Sequence, residues 1–199
     1  MKHTTALDEL TAALKCLPGI GPKAAQRMTY HLLQRNRTGA LKLAFALQRA
    51  LEILKHCGQC NTFSEEEICS RCASPKRDRS MLCIVEMPAD LAMIEQTQSY
   101  PGMYYVLMGR LSPMDGITPS DMNLQKLAQR VEDEQLKEVI IATNFTCEGE
   151  ATAHMLQTLL QNKGLRISRL SRGVPVGGEL ENTDSGTIAQ SLLDRRFLS

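Results

Sequence analysis

Two pairs of cysteines carry the most specific chemistry in the sequence. Cys57 and Cys60 form one C-x2-C pair and Cys69 and Cys72 a second, with eight residues between the pairs. A C-x2-C turn is tight enough for both sulfurs to reach one ion, and two such turns complete a tetrahedral shell with no position left for water. Such a centre is structural rather than catalytic. The spacer from Asn61 to Ile68 makes a small knuckle, whose Glu65-Glu66-Glu67 run would have little to order it without a metal. Two disulfides, an iron–sulfur cluster or free thiols are the other readings of the same residues. Met1-Lys2-His3-Thr4-Thr5 begins no signal peptide, so a reducing cytoplasmic setting is expected and disulfides are disfavoured. Zinc, one ion per chain, is the expected occupant, with an iron–sulfur cluster as its main rival. His56 reads as a loop neighbour, not a fifth ligand.

A second group of residues suits phosphate. Leu17-Pro18-Gly19-Ile20-Gly21-Pro22 breaks a helical pattern. Its two glycines permit a tight turn that a ligand can approach closely, and Pro22 suits the first position of a new helix. The turn's N–H groups and the helix dipole make an anion site, which Lys23 and Arg27, one turn apart, would flank. The stretch resembles the helix-hairpin-helix of DNA-binding proteins. That resemblance implies contact with the DNA backbone rather than base edges, hence sequence-independent, salt-sensitive binding through Gly19, Gly21, Lys23 and Arg27. The competing reading is a packing corner with solvated cations.

A third group is acidic. Glu86 follows the apolar run Leu82-Cys83-Ile84-Val85, and Thr143-Asn144-Phe145-Thr146-Cys147-Glu148-Gly149-Glu150 follows Val139-Ile140-Ile141-Ala142. In a parallel sheet such residues collect at the strands' carboxyl ends. The pattern resembles the Toprim domain of type IA topoisomerases, primases and related nucleases, in which a Glu and an Asp-x-Asp bind Mg²⁺. Glu86 matches the Glu, but Asn144 and Thr146 stand at the aspartate positions and supply no charge. Mg²⁺ relies on carboxylates, so it is expected to bind weakly or not at all. Glu86, Asn144, Glu148 and Glu150 therefore read as a degenerate acidic site or a partner surface, with Glu148 and Glu150 equally suited to complementing a helix N-terminus.

The elements that position these groups follow from periodicity. Thr5 and Asp8 form a capping box for a first helix running to about Lys15, the second helix starts at Pro22, and Thr38 caps a third. Leu43, Leu47, Leu51 and Leu54 give that third helix an apolar stripe read as core, and Cys16 and Cys83 also read as core. After a polar linker, Pro75 to Arg79, strands at 82–85, 104–107, 139–142 and 166–170 alternate with helices at 88–96, 123–131 and 148–163. This alternation implies a parallel sheet with crossovers. Gly177-Gly178 marks a turn before a last helix, 187–193, and the run lacks the Gly-Lys-Ser/Thr of a phosphate-binding loop. No Ser/His/Asp or Cys/His set is legible, and His31 and His154 read as structural.

The expected class is α+β and multi-module. It comprises a helix-hairpin-helix region (1–54), a zinc knuckle with linker (55–79, finger 57–72), an α/β Toprim domain (80–175) and a C-terminal tail (176–199). At 199 residues and 43% hydrophobic the chain can bury a sizeable core, and no apolar run approaches the ~20 residues that cross a bilayer. The net charge of +1 conceals an asymmetry: residues 1–79 hold 13 Lys and Arg against 7 Asp and Glu, and residues 80–199 hold 10 against 15. The basic part suits phosphate.

The order of these modules resembles the RecR family of bacterial recombination mediators over nearly the whole chain. Leu17 to Lys23, the cysteine quartet, Leu111-Ser112-Pro113-Met114-Asp115-Gly116-Ile117, Glu148 to Thr152 and Gly173-Val174-Pro175-Val176-Gly177-Gly178 carry the likeness. Neutral residues at 144 and 146 are usual for that family, whereas Phe145 and Cys147 replace an expected Pro and an aliphatic residue. The resemblance implies a non-catalytic, DNA-binding mediator of recombinational repair that works with RecO and RecF to load RecA on single-stranded DNA, as a ring-like homotetramer. A metal-dependent Toprim nuclease or primase-like enzyme is the alternative.

Overall fold

The computed structural model describes residues 5–195, which form two compact units dividing between Leu54 and Lys55. In the first, α1 (Ala6–Leu14) is opened by the Thr5–Asp8 box: Asp8 N–H donates to Thr5 Oγ1 and Thr5 N–H to Asp8 Oδ2. The chain reverses through Gly19, whose φ of +77° is a left-handed conformation open to glycine. It enters α2 (Pro22–Tyr30) with Gly21 at the N-cap, then passes through a wider π turn, His31–Arg35. Ala25 and Thr29 are buried on the inner face of α2, and the Thr29 hydroxyl lies 3.0 Å from that of Thr11 on α1.

The third helix, α3 (Arg37–Ile53), departs from expectation twice. Asn36, not Thr38, caps it: Asn36 leaves helical geometry after the π turn, so its Oδ1 can accept from Gly39 N–H at 2.9 Å while Thr38 falls inside the first turn. The leucine stripe is not core, since Leu43, Leu47, Leu51 and Leu54 are between 43% and 85% exposed and Leu41 and Phe45 are open as well. Periodicity shows which face is apolar. Two short helices are too little material to cover a 17-residue helix. Cys16, in the turn that follows α1, is likewise exposed.

In the second unit the knuckle comes first: β1 (Lys55–His56) pairs antiparallel with β2 (Phe63–Ser64), and α4 (Ser70–Ala73) carries the last cysteine. Then follow β3 (Asp78–Val85), α5 (Pro88–Gln96), β4 (Gly102–Val106), α6 (Leu124–Arg130), β5 (Glu138–Ala142), α7 (Cys147–Leu160), β6 (Arg166–Arg169) and α8 (Ser185–Leu193). The four strands β3 to β6 make one parallel sheet in the order β4-β3-β5-β6. The central strand β3 is apolar without alternation from Leu82 to Val85, and all four residues are buried, as Cys83 was expected to be. Leu91 of α5, Leu127 of α6 and Leu156 and Leu160 of α7 fill out the core. A left-handed Gly164 ends the stretch after α7, and α8 starts at Ser185, earlier than expected, because Asp184 caps it through Thr187 N–H.

The stretch from Pro75 to Arg79 is not a free linker: β3 begins at Asp78, and Arg77 is pinned. Its guanidinium donates to the carbonyls of Tyr100 and Gly102 and pairs with Glu95. Glu95 also accepts from Arg71 of α4 at 3.1 Å and from the Tyr104 hydroxyl at 2.7 Å. Knuckle, sheet entry and α5 thus meet on one carboxylate. Burial pushes the Glu95 pKa up, but its hydrogen bonds from Arg77, Tyr104 and Arg71 outweigh burial and leave it below the usual value. A depressed carboxylate contributes stability that is present above the unfolded pKa and lost as pH falls through the folded one. Glu95→Ala is therefore expected to lower the unfolding free energy of the full chain by about 2–3 kcal/mol at neutral pH. Urea unfolding should show the difference shrinking below pH 4.5, the ordinary value for this side chain.

Candidate nucleic-acid interface and metal centre

In the hairpin, Gly19 is dictated by backbone conformation and Gly21 is not. Gly21 has φ −80° and ψ 174°, which any residue adopts, and a Cβ there would meet nothing within 4 Å. With no side chain there, the space in front of the turn is left open. Gly21 offers no side-chain cap to α2 and Pro22 has no N–H, so the first-turn N–H groups of Lys23 and Ala24 remain available. Lys23 and Arg27 are exposed on the same face, and neither joins an ion pair among the described residues. N–H groups, a helix N-terminus and two unengaged cations make an anion cradle.

The four knuckle cysteines converge. All are buried and unbridged, and their sulfurs lie within 4.8 Å of one another, with Cys60 and Cys69 at 3.6 Å. A tetrahedron with Zn–S of about 2.3 Å has edges of about 3.8 Å, so the set fits zinc with little movement. Cys69 N–H points at Cys57 Sγ from 3.3 Å, the outer-sphere bond expected of a thiolate ligand. Cys60 is held down to about 5, first by its hydrogen bond from Cys72, and Cys72 is pushed up by the same bond and by burial. The sulfurs are crowded, and four thiolates at this spacing require a cation. His56 faces away from this role, its Nδ1 lying 2.9 Å from the Asn61 carbonyl.

The knuckle is bonded to the sheet. Asn61, held left-handed at φ 62°, donates Nδ2 to the Val106 carbonyl at 2.8 Å, and Val106 N–H donates to the Cys60 carbonyl at 2.9 Å. Lys126 of α6 donates to the Cys57 carbonyl at 2.9 Å. The edge strand β4 thus ends against the metal-binding turn.

At the carboxyl ends of the strands Glu86 is 1% exposed. Its Oε1 accepts from Asn144 N–H at 2.8 Å and its Oε2 from Asn144 Nδ2 at 2.7 Å, with Arg110 3.9 Å from Oε2. Glu148 and Glu150 lie in the first turn of α7, which Thr146 caps through Gly149 N–H. Glu150 pairs with Arg169 at 2.5 Å and with Arg172, and the Arg169 hydrogen bond holds its carboxyl below the usual range. The structure brings Glu86 and Asn144 together but does not gather Glu86, Glu148 and Glu150 about one point. Among the described residues the cysteine quartet is the one group of three or more side chains placed to share a metal.

Four family models match along the chain in order: the RecR helix-hairpin-helix over residues 7–51, the RecR four-cysteine zinc finger domain over 54–74, the Toprim domain over 80–171 and the RecR C-terminal region over 173–196. Recombination protein RecR of Chromobacterium violaceum is 58% identical over 196 residues, 98% of this chain and 99% of that protein. The chain belongs to the RecR family. The four-cysteine knuckle is the zinc finger of that family, and its geometry supports zinc binding. No helix among the described residues is long and apolar enough to cross a membrane.

Two features of this chain escape a reading of the sequence. Phe145, which stands out there only as a departure from the family pattern, lies under Arg169 and Arg172, whose guanidinium carbons are 4.8 and 4.7 Å from the ring centroid. Arg110, which brings a cation near the buried Glu86, is the other; its only signal is its place after β4, at the same sheet end as Glu86. The knuckle's bonds to Val106 and Lys126 generate a prediction of their own. Cys60→Ser is expected to release the metal and lower the thermal midpoint, and also to speed hydrogen exchange at Val106 in β4. Metal analysis yielding iron, or unchanged exchange at Val106, would contradict this.

Proposed function

We propose that the protein is a non-catalytic, DNA-binding mediator of recombinational DNA repair in the cytoplasm, carrying one zinc per chain. The observation that carries the DNA-binding part is the open hairpin: a glycine needed by neither conformation nor packing, at an uncapped helix N-terminus, beside two unengaged cations. The cradle favours negative charge, which the phosphates carry and the base edges do not, so the binding proposed is sequence-independent. The family likeness further supports action with RecF and RecO to promote RecA loading on single-stranded DNA. The exposed apolar stripe of α3 supports self-association, for which the family likeness suggests a ring-like homotetramer. Several hairpins in one assembly would raise an affinity that a single hairpin leaves low. The division into 1–54, 55–79, 80–175 and 176–199 belongs to the same reading, with Glu86, Asn144, Glu148 and Glu150 as a degenerate Toprim site or partner surface.

The alternative, a metal-dependent Toprim nuclease or primase-like enzyme, needs carboxylates open to a hydrated cation. Glu86 is buried with both oxygens accepting from Asn144, and Glu150 is engaged by two arginines, so the geometry favours the non-catalytic reading.

Replacing Lys23 and Arg27 together by Ala is expected to weaken binding to every DNA sequence alike. Each lost phosphate contact should reduce the slope of log affinity against log salt by about 0.7–0.9. Gly21→Ala, which the fold accommodates, should weaken binding without lowering the thermal midpoint. A double variant that binds as tightly as the parent at every salt concentration would make the hairpin a packing corner.

A further inference from the structure

The carboxyl end of the sheet holds a fully buried carboxylate whose two oxygens are both met by one neighbour. Glu86 follows β3 and Asn144 follows β5, so the pair joins two adjacent strands where they stop. A buried charge is tolerated when it is hydrogen-bonded and its charge offset. Here the backbone N–H and side-chain Nδ2 of Asn144 supply the bonds, and Arg110 supplies the opposite charge from 3.9 Å.

The identity of residue 144 is decisive. An aspartate would lose the Nδ2 donor and bring a carboxylate oxygen to about the 2.7 Å that now separates Nδ2 from Oε2. Two carboxylates that close share a proton or a cation. The amide removes that need by being both neutral and a donor. We infer that the Asn144 carboxamide acts as a built-in surrogate for a divalent cation, clamping the buried Glu86 to the turn that enters α7 so that this end of the sheet holds its shape without metal.

The turn is built around the clamp. A Cβ on Gly149 would lie 2.1 Å from the Asn144 carbonyl oxygen and 2.9 Å from Glu86 Oε1, so the first turn of α7 closes over the pair only with glycine there. Thr143 Oγ1 donates to the Gly149 carbonyl at 2.9 Å, and Thr146 Oγ1 accepts from Gly149 N–H at 3.1 Å. Residues 143–149 are therefore knitted to Glu86 on one side and to α7 on the other. Phe145 and Glu148, both partly exposed, are presented by a fixed turn. Asn144 is a positioning residue in this arrangement.

The test compares Asn144→Asp, Glu86→Gln and the double variant Glu86→Gln/Asn144→Asp in the zinc-loaded full chain. Hydrogen exchange at residues 143–149 is followed with and without added Mg²⁺ or Mn²⁺. Parent protein is expected to be indifferent to either cation. Glu86→Gln should stay protected, because the Asn144 amide can turn to accept from the new Nε2 while its N–H still donates to Oε1. Asn144→Asp should exchange roughly tenfold faster or more without cation, as expected from losing a hydrogen bond to a charged group, and should regain protection with Mn²⁺. The double variant, again an amide–carboxylate pair, should be protected without cation. It also carries the test if Asn144→Asp alone fails to fold. Cation-dependent protection of the parent that Glu86→Gln abolishes would overturn the inference, as would an Asn144→Asp variant as protected as the parent in the absence of cation, or a double variant that stays unprotected. DNA affinity, set by the hairpin, should be unchanged throughout, so a failure of the clamp and a failure of the DNA-binding reading are separable.

Discussion

Four sulfurs packed inside 4.8 Å, with almost no solvent, are the constraint on which the second unit rests. As thiolates they repel, so the knuckle holds its shape in that form only with a cation at its centre. The consequences extend beyond the knuckle because its backbone is shared: the carbonyls of Cys57 and Cys60 accept from Lys126 and Val106, and Arg71, between two residues of the metal turn, reaches Glu95. An edge strand usually presents unpaired donors and acceptors to other chains. Here the end of β4 spends them on the metal turn. The knuckle is a brace for the sheet as much as a module.

How much of this was legible in the sequence depends on how local each feature is. The cysteine spacing, the Thr5–Asp8 box, Pro22 at a helix start and the apolar strands are set by neighbours in sequence, and they read correctly. The α3 stripe read as core because a helical period reports which face is apolar and says nothing about whether other elements suffice to cover it. Thr38 lost the cap to Asn36 because the π turn at His31–Arg35, which no spacing signalled, shifted where helical geometry resumes. Pro75 to Arg79 looked like a linker because its partners, Glu95, Tyr100 and Gly102, lie about twenty residues away. The Glu86–Asn144 pair spans 58 residues and could be named as two positions of a motif, but not as a hydrogen-bonded pair.

The two glycines of the hairpin separate two demands that a sequence reading merges. Gly19 answers to the chain's own geometry, whereas Gly21 is required by neither conformation nor packing and leaves open space outside the turn. Gly149 adds a third demand, since it is required by neither φ nor solvent but by a carbonyl and a carboxylate that fill the place of its side chain. Conformation, open outer space and internal crowding thus set the three positions apart.

The first unit wholly buries Ala25 and Thr29 and little else, while α3 turns leucines and a phenylalanine outward along 17 residues, a length of about 25 Å. Folding of so thin a unit gains little from its own interior. Any surface that covers α3 binds the folded helix and not the unfolded chain, and so adds to its stability in proportion to the logarithm of its concentration. Under such cover the order of this unit would be a mass-action quantity, with dilution acting in the same direction as denaturant.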